Sequence, residues 1–146
     1  TGSAAGTSKK IDSKFIIQTD KISVSNAEII DLGSNEKVLV GALSGYMITP
    51  ISATCLVTYA ASTESSNKNL YFGFDDSVDT HYWDYGSRFY GGQTTDVTFI
   101  FGGHLAASGA KTTSSINSPF VIWASGTFNG GWSMDVYITY AYTKVL

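Results

Sequence analysis

The segment FDDSVDTHYWDYGSRFYGG, residues 74–92, gathers the side chains of this sequence most able to do chemistry. It holds Asp75, Asp76, Asp79 and Asp84, one of the chain's two histidines (His81), Trp83, and Arg88, the only arginine. Asp75, Asp76 and Asp79 offer closely spaced oxygen ligands of the kind Ca²⁺ takes, but a loop of the EF-hand type closes on a later bidentate Glu. No Glu follows Glu64. The stretch therefore reads as a turn whose Asp side chains accept backbone N–H bonds. Those three acids remain weak metal candidates, and no cofactor is expected. A zinc site needs about four Cys or His ligands, and the chain has one Cys and two His.

Hydrolytic chemistry finds no better footing. A nucleophile elbow needs Gly-x-Ser-x-Gly at a strand-to-helix turn, and the motif is absent. Glycosidases set two carboxylates on facing elements. Here Asp75, Asp76, Asp79 and Asp84 share one stretch, and the other strand-borne acids are Asp96 and Asp135. His81 and His104 are flanked by turn residues. Cys55 sits in an alternating run and reads as a small buried apolar residue rather than a nucleophile. The sequence predicts no enzyme.

Sugar contact is the remaining chemistry. Aromatic rings stack on pyranose faces while polar neighbours bind hydroxyls, so His81, Tyr82, Trp83, Tyr85 and Arg88 are glycan-contact candidates. Alternation places Trp83 and Tyr85 on one face and Tyr82 and Asp84 on the other, with one face packing on the core. Arg88 is expected to pair with Asp84 across a hairpin. Burial is the commoner use of such aromatics, and the segment reads as strand–turn–strand with an aromatic surface.

The elements that would position these groups are strands. In SATCLVTYA, Ala53, Cys55, Val57 and Tyr59 alternate with Ser52, Thr54, Leu56 and Thr58. Leu70, Phe72 and Phe74 share a face, as do Val97, Phe99 and Phe101, and Phe120, Ile122 and Ala124. In WSMDVYITYAYTK the inward set is Trp132, Met134, Val136, Ile138, Tyr140 and Tyr142. Clusters of Gly, Ser, Asn and Pro separate the runs. One segment, SNAEIIDLG, is helical in character, with Asn26 as a cap and Gly33 at the end. The expected fold is all-β: an antiparallel β-sandwich of jelly-roll type, with about eight strands and one short helix near residues 26–32. Residues 1–13 read as a flexible arm and 14–146 as the sandwich domain, one domain by length.

Composition narrows the partners. Charged residues are 14% of the chain, against about 25% in an ordinary soluble protein. The net charge of −3 leaves no basic field for nucleic acid. The opening does not read as a signal peptide, and no apolar run approaches the eighteen or so residues of a membrane span. Ile100, Val121, Trp123 and Tyr137 fall on outward faces of strands whose inward faces are already apolar. They are expected to meet a neighbouring subunit, or a covering loop such as AASGAKTTSSINSP.

The segment KISVSNAEIIDLGSNEKVLVGALSGYMITPISATCLVTY, residues 21–59, resembles the opening of a group of tailed-phage virion proteins. The matching pieces are Ser25–Ile30, Lys37–Val40, Gly41–Gly45 and Ile48–Tyr59, within a likeness that extends over about residues 21–102. These are packing patterns with no chemical residue among them. The resemblance implies a structural class: head fibres, capsid decoration proteins or tail-associated β-domains, commonly trimeric. It implies a virion location, other virion proteins and a homotrimer as partners, and a host surface glycan as a further possible contact. The different reading from the residues alone is a carbohydrate- or receptor-binding module.

Overall fold

The computed structural model describes residues 16–74, 81–85, 94–103 and 115–146. Among them lie eight strands and one short helix: β1 (Gln18–Val24), α1 (Asn26–Asp31), β2 (Lys37–Val40), β3 (Tyr46–Tyr59), β4 (Leu70–Gly73), β5 (His81–Tyr85), β6 (Val97–Gly102), β7 (Phe120–Ala124) and β8 (Trp132–Lys144). They form two four-stranded sheets, ordered β1-β8-β3-β6 and β2-β7-β4-β5. Every pairing is antiparallel.

The order has a simple logic. β1 pairs with β8, β2 with β7, β3 with β6 and β4 with β5, as in one long hairpin. Two further pairings, β3 with β8 and β4 with β7, fold that hairpin over and stitch it into two sheets. This is a jelly roll, the type expected from about eight turn-separated strands and one short helix.

Between the sheets the inward residues of both meet. Ala53, Cys55 and Val57 of β3 and Met134, Val136 and Ile138 of β8 are buried against Leu70, Phe72, Phe120 and Ile122 of the second sheet. An aromatic bridge closes the β5–β6 side. Trp83 of β5 stacks on Phe101 of β6 at 5.8 Å and 12°, and Phe72 tilts against Phe101 at 5.1 Å.

The helix forms where predicted, with a different cap. Ser25, not Asn26, is the N-cap, and Glu28 completes a capping box by accepting the Ser25 backbone N–H at 2.9 Å. Asn26 is the first helical residue, and its side chain donates to the carbonyls of Gly130 and Trp132, both at 2.8 Å. The helix is thereby tied to the start of β8.

Gly33 follows the C-cap Leu32 but does not adopt the left-handed turn expected of a helix-ending glycine. It is needed for proximity: a Cβ there would lie 2.5 Å from the carbonyl carbon of Gly126. Gly33→Ala must push two backbones apart, and we expect it to cost about 2 kcal/mol. An unchanged urea midpoint in that variant would show that the β7–β8 connection yields freely.

Candidate functional site

The hairpin β4–β5 places the candidates of the aromatic segment. Phe72 pairs with Trp83 and Leu70 with Tyr85, so Trp83 and Tyr85 share the inward face, as expected. Their environments differ. Trp83 is fully buried, with its indole N–H donating to the Gly103 carbonyl at 2.6 Å. Tyr85 sits at the rim, 41% exposed, with its ring 5.2 Å from Phe99.

A bulge corrects the expected phase of Tyr82. The register steps between Phe72/Trp83 and Gly73/His81, which leaves Tyr82 as the extra residue. Tyr82 therefore packs on the core, 5.1 Å from Trp83 and 6.2 Å from Phe120, instead of sharing the outer face with Asp84. His81 takes the outer position, 5.5 Å from Tyr71. Desolvation raises the Asp84 carboxyl above its ordinary value, with the charge of His81 acting the other way. Trp83 is thus a core residue with no ring face free for a sugar; Tyr85 is exposed, and His81 and Tyr82 are half-buried. Asp75, Asp76, Asp79 and Arg88 lie outside the described residues.

The four subunit-interface candidates separate into two groups. Val121 and Trp123 do lie on the outer face of β7, but they are 0% and 4% exposed within the protomer. With Tyr71 they form a small apolar cluster of their own, the Tyr71 and Trp123 rings 5.4 Å apart. The premise that they await a subunit does not hold for these two, because the chain itself already takes them out of water. Ile100 is different, at 70% exposed on the outer face of β6. Tyr137 is half-buried on the outer face of β8, under the Lys21 ammonium at 5.8 Å from its ring.

Carboxylates elsewhere are committed to structure. Asp135 pairs with Lys21 at 2.9 Å and accepts from Ser23 at 2.6 Å, and these contacts lower its pKa, the Ser23 bond most. Glu28 is held down to about 2 by the Lys37 ammonium first and by Ser25 second. Both acids line an open cavity of about 240 Å³ with Ser23, Ser25, Thr58 and Ser133, so its charges are already matched within the chain. Asp20 accepts from the Tyr140 hydroxyl at 2.6 Å. Burial pushes the Cys55 thiol far above its ordinary value, which removes the thiolate a nucleophile needs. Among the described residues no group of three or more His, Cys, Asp or Glu is placed to hold a metal ion.

One residue escaped the sequence reading. Glu64, in the turn-rich STESSNKN segment, is fully buried. Its carboxylate accepts the backbone N–H groups of Ser66 (2.8 Å), Asn129 (3.1 Å) and Gly130 (2.8 Å) and the indole N–H of Trp132 (3.0 Å). Its burial in a loop has no periodic signature, and the only hint was a lone acid among small polar residues. It is a fastener, with every contact directed at backbone or indole. Set against known protein families, characterised proteins and solved structures, the chain matches none, so its jelly roll and its surfaces are what bear on function.

Proposed function

We propose that this chain is a non-enzymatic structural protein of a tailed-phage virion, a capsid-decoration or head-fibre subunit that assembles as a homotrimer on a larger particle. The observation that supports this best is the strand order β1-β8-β3-β6 with β2-β7-β4-β5. The eight-strand jelly roll recurs in viral capsid and lectin domains, and the likeness of residues 21–102 to phage virion β-domains falls on the helix and the strands that open that order. The support is analogy of fold, which hosts many functions. Its chemical counterpart is the set of carboxylates spent on ion pairs and backbone bonds, described above.

The partners of this reading are further copies of the chain and a capsid or tail protein. With a net charge of −3 the chain has no attraction for nucleic acid. The alternative, a carbohydrate- or receptor-binding tip, draws on the exposed ring of Tyr85 beside the rim of the sandwich. Mass spectrometry of purified particles tests the main reading: the chain should be present at copy numbers comparable with the other capsid and fibre proteins. Its absence from particles, while abundant in the infected-cell lysate, would rule out the virion role. Binding on a glycan array that disappears in Tyr85→Ala would instead assign the alternative.

A further inference from the structure

The two outer faces of the sandwich are unlike. On the β2-β7-β4-β5 side, Tyr71, Val121 and Trp123 are already buried. On the β1-β8-β3-β6 side, the register sets side chains in rows across all four strands. One row is Lys21, Tyr137, Thr54 and Ile100, and the next is Ser23, Asp135, Leu56 and Thr98. Leu56 stands diagonal to both Tyr137 and Ile100, within reach of each. The three make one apolar band around the Thr54 methyl. Ile100 is 70% exposed and Leu56 38%.

Around that band the face is hydroxyl-rich and nearly uncharged. Thr19 and Thr139 hydrogen-bond to each other across strands, as do Thr49 and Thr143. The outward positions of the four strands carry two charged side chains, Lys21 and Asp135, and these pair with each other at 2.9 Å.

We infer that a second copy of this chain docks on the outer face of β1-β8-β3-β6, with Ile100, Leu56 and Tyr137 at its centre. The inference rests on the homo-oligomeric reading above and says which surface serves it. Charge points to a copy as occupant. The chain carries −3, so two copies repel wherever acids are exposed, yet the strands of this face present no net charge to an approaching copy. A nucleic acid or a strongly charged protein finds nothing here to complement. Composition agrees in one respect, since interface cores are depleted of charge and Ile100, Leu56 and Tyr137 carry none. Size fits a contact at the small end of stable interfaces. The 13 residues of β8 span about 40 Å at the strand rise, and the four strands lie ~4.8 Å apart, with shorter strands at the edges. That makes roughly 600 Å² of face, against about 800 Å² per partner in a standard interface.

Light-scattering mass across a concentration series tests this. Three variants are compared with wild type: Ile100→Asp and Thr98→Lys on this face, and Val38→Asp, exposed on the other sheet opposite Val121, as a control. We expect an oligomeric wild type and an unchanged control. Both variants on the proposed face should bind at least about tenfold more weakly, with β-type circular dichroism retained. An oligomer that survives both of these variants, whether or not Val38→Asp breaks it, overturns the choice of face and leaves the homo-oligomer standing. A wild type that stays a single chain at the highest concentration removes the homo-oligomer itself.

Discussion

Glu64→Ala should cost the fold about 3–5 kcal/mol, enough to lower the melting temperature by roughly 10–15 °C in a chain of this size. The substitution leaves three backbone N–H groups and the Trp132 indole without their acceptor, the Gly130 and Trp132 donors buried and those of Ser66 and Asn129 part-buried. Each orphaned buried donor carries a penalty of about 1–3 kcal/mol, offset in part where the loop relaxes. The site has little room to relax: a Cβ on Gly130 would lie 2.7 Å from the Trp132 ring and 2.8 Å from the Glu64 Cβ. Thermal unfolding followed by circular dichroism measures the effect. A loss below about 1 kcal/mol would mean that water enters and replaces the carboxylate.

The same residue sets a pH dependence. Burial acts to raise the Glu64 carboxyl, and the hydrogen bonds from Ser66, from Trp132 and from the backbone at Gly130 overcome it, so the folded pKa lies below the ordinary value of 4.5. A depressed folded pKa contributes stability that is fully present above the unfolded value and lost as pH falls through the folded one. Wild-type stability should therefore decline below about pH 4.5, and Glu64→Gln, which has no proton to gain, should decline less steeply. Glu28 and Asp135, also depressed, add to the slope of both proteins alike, weakly because they lie near solvent. Parallel slopes for the two proteins would remove Glu64 from the account.

Trp83→Ala should be comparably damaging, at about 3–5 kcal/mol. The indole fills the β5–β6 side of the sandwich, stacked on Phe101 and edge-on to Phe72 and Phe120. Its removal opens a cavity between the sheets and strips the Gly103 carbonyl of its donor. Trp83→Phe should cost less, since a ring still meets Phe101, and its loss relative to wild type measures the indole N–H together with the lost second ring. Urea unfolding reads both. If Trp83→Ala unfolds within 1 kcal/mol of wild type, Trp83 is not the anchor its burial indicates. A loss of sugar binding in Trp83→Ala would carry no information about a site, because the fold is expected to fail first. Tyr85→Ala is the usable probe.

Much of this protein was legible from local sequence. Alternation identified the inward residues of β3, β4, β7 and β8, and the structure buries Cys55, Phe72, Ile122 and Val136 as that alternation requires. Ser25 and Glu28, three apart before an apolar pair, spell a capping box even though Asn26 was the expected cap. These are properties of the chain over a few residues: a strand has period two, a helix start has unpaired N–H groups, and the side chains that answer them are neighbours.

What only the tertiary structure decided depends on partners far along the chain. The pairing of β1 with β8 and β2 with β7 follows from which faces can be buried together, and a period-two pattern is the same for any order of strands. One extra residue opposite Phe72 and Gly73 turned Tyr82 inward and His81 outward, because a bulge shifts the phase of every side chain beyond it. Val121 and Ile100 look alike in sequence, apolar residues at outward positions, yet one is fully buried and the other 70% exposed. Alternation says which face a side chain takes, and only the folded chain says what lies over that face. Glu64 is the extreme case. Its partners reach 68 positions away, and nothing within its own segment could announce that a carboxylate would be worth burying there.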